Sequence, residues 1–181
     1  MRYKHVVFIL FLLSLSLGLN AEPLINKQGN VPHNQINAAG YSVSKPENFV
    51  LGESVGYIKK EALKVCKSIE ERDIFPITGP LAKLSQKQID CEGFYYAGKP
   101  RSVELVFQDD QLDLIWILIP ELEKEHINNA MTETYGAPTM VFDYGAIYLQ
   151  VNAAVRNKPS EVLFASSRQT KAMLKKLKEE N

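Results

Sequence analysis

FYYAGKPRSVELVFQDDQLDLIWILI, residues 94–119, reads as three consecutive antiparallel strands and is the longest run of strand-forming sequence in the 181-residue chain. Asp109-Asp110 lies between two apolar runs and suits a two-residue hairpin turn, because aspartate tolerates the positive φ that such turns require. That turn sets Phe107 opposite Leu112, Leu105 opposite Leu114 and Val103 opposite Trp116. A second turn over Gly98-Lys99 sets Tyr96 opposite Arg101 and Phe94 opposite Val103. Opposed residues share a face, so Phe94, Val103, Leu105, Phe107, Leu112, Leu114 and Trp116 are expected on one apolar face.

In this register the other face carries Tyr95, Ser102, Glu104, Val106, Asp113, Ile115 and Ile117, and it is mixed rather than polar. A strand apolar on both faces, as 112–119 is, belongs in the middle of a sheet with both faces covered. The second cover is either part of this chain or a partner. Tyr95, Glu104, Val106, Asp113, Ile115 and Ile117 are therefore the candidate binding residues.

Residues 1–21 have the build of a secretory signal peptide. Arg2 and Lys4 precede an apolar stretch over 6–19, and Ala21 stands before Glu22-Pro23. About 14 apolar residues fall short of the roughly 20 needed to span a bilayer. No cysteine follows the apolar stretch, so there is no site for lipid attachment. Export to the periplasm or secretion is expected, with no transmembrane anchor after cleavage. Loss of Arg2 and Lys4 takes the formal charge from zero to slightly negative, without the basic excess of a general nucleic-acid binder.

Cys66 and Cys91 are the only cysteines. In an oxidising compartment the simplest reading is one disulfide between them, worth roughly 3 kcal/mol for a ring of this size. A redox-active pair is more often Cys-x-x-Cys, and metal ligation needs further ligands nearby.

Residues 22–48, rich in Asn, Gln and Pro, read as a flexible or loosely docked arm. A helix is expected over 52–68, with Ser54 as N-cap and Val55, Ile58, Ala62 and Val65 on its apolar face. Residues 69–90 read as an irregular connection, with at most a short strand or a turn of helix. A second helix spans 121–135, led by Pro120 and closed by Gly136, with Leu122, Ile127, Ala130, Met131 and Tyr135 as its buried stripe. Strands follow at 139–142, 146–151 and 162–166, then a C-terminal amphipathic helix in 167–181. The fold class is α+β: a domain over 49–166 built from two αβββ halves, about 49–119 and 120–166, each packing a helix on antiparallel strands.

Leu51-Gly52-Glu53-Ser54 opening a helix, and Tyr135-Gly136-Ala137-Pro138-Thr139 closing one before a strand, resemble motifs of exported bacterial domains. These are the small outer-membrane lipoproteins of the SmpA/OmlA type and the beta-lactamase-inhibitor-protein-like fold. The resemblance implies a helix pair preceding an antiparallel sheet, tandem occurrence and a role in protein binding. The lipidated cysteine of the lipoproteins has no counterpart here.

No catalytic signature is present. Asp109, Asp110 and Asp113 spell DDxLD, but in a hairpin they do not converge as metal-binding aspartates on a helix do. There is no Gly-rich phosphate loop, His-Glu-x-x-His or nucleophile elbow. His33 and His126 are isolated. The chain reads as a non-catalytic exported binding module, of inhibitor or envelope-assembly type, with no cofactor or metal and another exported or envelope protein as partner. A carrier of small molecules or lipids, and a hydrolase assembled from distant residues, are the alternatives.

Overall fold

The computed structural model describes residues 42–179; the signal peptide expected over 1–21 and the arm as far as residue 41 lie outside the described residues. The fold is α+β, with eight strands in one antiparallel sheet. They are β1 (Ser68–Asp73), β2 (Gln86–Tyr96), β3 (Lys99–Gln108), β4 (Gln111–Leu118), β5 (Met140–Phe142), β6 (Gly145–Tyr148), β7 (Ala153–Asn157) and β8 (Ser160–Ala165). The helices are α1 (Val55–Val65), α2 (Lys124–Tyr135) and α3 (Ser167–Glu179).

In space the strands run β1-β2-β3-β4-β8-β7-β6-β5. Each half therefore holds one helix and four strands rather than three, and the halves join where β4 pairs antiparallel with β8. The additional strands escape a reading by hydrophobic pattern for physical reasons. β1, SIEERD, is a charged edge strand, the kind that blunts an open sheet edge. The first half of β2 is Gln- and Lys-rich, and β7 is short and opens on two alanines.

Both hairpins of the meander form, with registers different from those expected. Asp109 and Asp110 take φ of 50° and 63°, and Ala97 and Gly98 take 49° and 76°. The second turn therefore sits one residue earlier than Gly98-Lys99, and Tyr96 pairs with Lys99 rather than Arg101. The same turn sets Phe94 opposite Arg101 rather than Val103, and a bulge at Gly93 then sets Glu92 opposite Ser102. In β3–β4 the turn is as expected and Phe107 pairs with Leu112. The next pair is Val106 with Leu114, which leaves Asp113 as an extra residue. From there Leu105 pairs with Ile115, Glu104 with Trp116 and Val103 with Ile117. One inserted residue sends every later side chain of β4 to the opposite face.

The main core lies between the first sheet face and helices α1 and α2. It takes in Phe49, Ile58, Ala62, Ile89, Leu105, Phe107, Leu112, Ile115, Ile117, Ile127, Met131 and Phe164. The hydroxyl of Ser54 accepts the Tyr57 N–H, and Asp110 accepts the Val55 N–H at 3.1 Å, so the hairpin turn helps cap α1. Cys66 and Cys91 form a disulfide that ties the end of α1 to the middle of β2. Residues 42–50 are docked rather than loose. Val43 and Phe49 are fully buried, and the hydroxyls of Tyr96 and Tyr135 donate to the Val43 carbonyl at 3.0 and 3.2 Å. Leu122, expected in the buried stripe, is 94 % exposed in the 3-10 turn before α2.

The register makes Ile115 and Ile117 core residues. Ile115→Ala and Ile117→Ala should each cost about 2–5 kcal/mol in urea denaturation. Losses below about 0.5 kcal/mol, the surface value, would contradict the pairing.

Candidate functional site

Cross-strand partners trace one row over the second face of the sheet. It runs Glu70, Asp90, Glu104, Trp116, Leu163, Ala154, Ile147, Met140, one residue from each strand. The row changes character at Trp116, polar and acidic on one side and apolar on the other.

The apolar side is covered by α3. Thr170, Met173 and Leu174 of this helix close a cavity of about 40 Å³ with Ile147, Leu163 and Ala165. The helix is anchored at its start by Asp113. That carboxylate accepts from Ser166 Oγ (2.5 Å), from Arg168 Nε and Nη2 (2.8 and 2.5 Å) and from Gln108 Nε2 (3.1 Å). Gln108 also donates to Gln169 Oε1 at 2.7 Å. The loop 74–85 crosses the same end of the face. The N–H groups of Thr78 and Gly79 donate to Gln86 Oε1, and that of Leu81 donates to Gln108 Oε1. Val106 and Leu114 are buried beneath this cover.

The acidic side has no helix over it among the described residues. Glu70, Glu92 and Tyr95 are exposed, Tyr95 at 70 %, while Asp90, Ser102, Glu104 and Trp116 are half-buried. Arg72 donates to Asp90 through Nε (3.0 Å) and Nη2 (3.4 Å), and Gln88 donates to the same carboxylate. Ser102 donates to Glu92 at 2.6 Å. Beyond Trp116, Arg156 pairs with Glu161 and lies over the indole, its guanidinium carbon 4.9 Å from the ring centroid.

Glu104 differs from its neighbours. No donor among the described residues lies within hydrogen-bonding distance of its carboxyl. Burial pushes its pKa up to about 7, the negative charges of Asp90 and Glu161 add to the rise, and Arg72 and Arg156 oppose it. Beside it, Trp116 Nε1 is buried without a hydrogen-bond partner among the described residues, which costs about 1–3 kcal/mol. Among the described residues two neighbouring groups are thus without hydrogen-bond partners on the part of the face that α3 and the loop 74–85 leave open.

The six expected binding residues separate. Tyr95 and Glu104 lie on the uncovered surface, and Val106 shares their face but is buried. Asp113 is the bulged residue, fully buried and engaged with α3. Ile115 and Ile117 are in the core under the helices, because the bulge turns them there. Trp116 makes the opposite exchange and joins the surface with Asp90, Arg72, Arg156 and Glu161. One signal in the sequence points to this: Asp113 interrupts the otherwise apolar LDLIWIL of β4.

The DDxLD carboxylates serve three separate partners. Asp110 caps α1, Asp113 anchors α3, and Asp109 accepts the N–H groups of Lys83, Leu84 and Ser85, which hold it below the usual carboxylate range. Among the described residues no group of three His, Cys, Asp or Glu is placed to hold a metal ion, and no helix is long and apolar enough to cross a membrane. No family model matches the chain, and neither the curated proteins nor the solved structures contain a match.

Glu104 titrates near 4.5 when unfolded and near 7 in the fold. The folded state therefore holds more protons between those values, and stability falls as pH rises through that window. Below it nothing is lost, and above it the whole loss is present. Partial exposure limits that loss to about 2 kcal/mol. Urea denaturation should show Glu104→Gln without this slope and more stable than the parent near pH 8. A parent whose slope in this window survives the substitution would contradict the assignment.

Proposed function

We propose that this chain is an exported, non-catalytic protein-binding module that docks a partner on the uncovered surface around Tyr95, Glu104 and Trp116. The observation that carries the reading is the asymmetry of the sheet. One face is sealed by α1 and α2, and half of the other by α3 and the loop 74–85. The remaining part presents two aromatics amid mixed charges, a composition suited to an interface, where aromatic and arginine side chains carry most of the binding energy.

Export is supported by the leader-like residues 1–21 and by the Cys66–Cys91 disulfide, a bond that persists in oxidising compartments. The periplasm or the cell exterior is the proposed location. The resemblance to SmpA/OmlA-type and beta-lactamase-inhibitor-protein-like domains, which implies protein binding, is part of this proposal. Against a carrier stands the size of the cavity under α3. At about 40 Å³ it has room for a few waters, whereas ligand sites usually enclose about 300–1,000 Å³.

Cross-linking and capture from an envelope extract, with the purified chain as bait, test the reading. A saturable partner is expected, with affinity reduced at least about tenfold by Trp116→Ala and by Tyr95→Ala, both of which should keep the parent's circular dichroism. Capture unaffected by both substitutions would place the interface elsewhere.

A further inference from the structure

We infer that the uncovered surface receives a basic side chain, lysine or arginine, of the protein partner, with the Glu104 carboxylate as its counter-ion and Trp116 as the wall beside it. This rests on the protein-binding reading and names the partner's chemistry at its centre.

Charge complementarity carries the inference. Among the described residues, five carboxylates, Glu70, Asp90, Glu92, Glu104 and Glu161, lie on the part of this face outside α3, with two guanidiniums, Arg72 and Arg156. The guanidiniums are committed, Arg72 to Asp90 and Arg156 to Glu161 and the indole. Glu92 takes a hydrogen bond from Ser102, and Glu70 stands in solvent at the edge strand. Glu104 is left in the middle, half-buried between Asp90 and Trp116, without a donor or a cation of its own.

A half-buried carboxyl surrounded in this way gains most from an added positive charge. The protein keeps it there at a cost to its own stability, and an incoming cation reverses that cost. The geometry favours a side chain over a free metal ion. A divalent cation such as calcium needs about six to eight oxygen ligands, and here one carboxylate is open while its neighbours are hydrogen-bonded. The indole beside Glu104 suits the methylene stem of lysine or arginine, which packs on apolar surface with its head at the carboxylate. Because burial and the charges of Asp90 and Glu161 favour the protonated form, with Arg72 and Arg156 opposing, binding of the cation expels the Glu104 proton.

Trp116 is the only tryptophan of the chain, so its emission reports on the site directly. The full chain is titrated near pH 6 and near pH 8 with acetyl-Gly-Arg-Gly-amide and its Lys counterpart. The Gln peptide serves as the uncharged control and spermidine as a free polycation. A basic peptide should give a saturable change and bind roughly tenfold tighter near pH 8, because only the ionised Glu104 is competent, and the Gln peptide should give none. Glu104→Gln should abolish both the binding and its pH dependence, with its urea midpoint at or above the parent's. Glu70→Gln, at the exposed edge, should bind within about twofold of the parent, since a solvated charge at that distance is screened. The inference is overturned if the basic peptides bind no better than the Gln peptide, if spermidine alone binds, if Glu104→Gln binds like the parent, or if Glu70→Gln costs as much. If the peptides fail while Trp116→Ala still abolishes capture of a partner, the basic side chain is wrong and the docking surface stands. If capture is also indifferent to Trp116, the docking surface fails with it.

Discussion

The structure turns on the bulge at Asp113 and the hydrogen bonds that its buried carboxylate accepts. A strand apolar on both sides is free to slip by one residue, because either register buries leucine and isoleucine. Asp113 removes that freedom. Kept in the ladder from the Asp109-Asp110 turn, it would face Val106 on the second face and turn Leu114 and Trp116 toward α1 and α2. Placed in the bulge, it meets Ser166, Arg168 and Gln108. A charged group taken fully from water costs several kcal/mol unless hydrogen-bonded in this way, so the bulged register is strongly favoured. The Asp113 carbonyl also accepts the Ser166 N–H at 2.8 Å. One residue thus joins β4, the end of β8 and the start of α3, and so fixes how the two halves share a sheet.

Two kinds of surface follow from that register. On the helix side the large apolar groups are buried, and Glu71, Asp73 and Lys87 pair with one another near the edge. On the other side the chain tolerates an unpaired carboxyl at Glu104 and an unsatisfied indole N–H at Trp116, next to each other. Elsewhere its acidic groups stabilise the fold: Asp109 holds the loop 83–85, and Glu123, kept below the usual range by Arg101 and Lys99, ties the start of α2 to the meander. Their contribution is lost only as pH falls below the ordinary carboxylate range, whereas Glu104 works against the fold as pH rises toward neutrality. Among the described residues Glu104 is thus a half-buried carboxyl without a donor, whereas Asp109, Asp113 and Glu123 each have theirs.

The class of the fold and much of its order were legible in the sequence. The Ser54 cap, the two helical stripes apart from Leu122, the Asp109-Asp110 turn and the Cys66–Cys91 bond follow from local chemistry, and the structure has each of them. Three things were not legible. β1 has too much charge to look like a strand, because it is an edge with solvent on one side. The turn at Ala97-Gly98 competes with Gly98-Lys99 on nearly equal terms, since either pair contains the glycine that a tight turn requires. The bulge depends on Ser166 and Arg168, more than fifty residues further along the chain, and no local pattern anticipates such partners. The expected surface inherits that error directly: Tyr95 and Glu104 lie on the second face, while Ile115 and Ile117 are in the core and Trp116 takes their place on that face.

The emission of Trp116 in the free protein, followed from about pH 5 to 9, tests the register and the site together. Glu104 faces the indole across β3 and β4, so the emission should change with a midpoint near 7, and Glu104→Gln should remove the transition. Without the bulge, Trp116 would oppose Val103 on the far face of the sheet from Glu104. Emission that ignores pH across this range, or a transition that survives Glu104→Gln, would contradict the account.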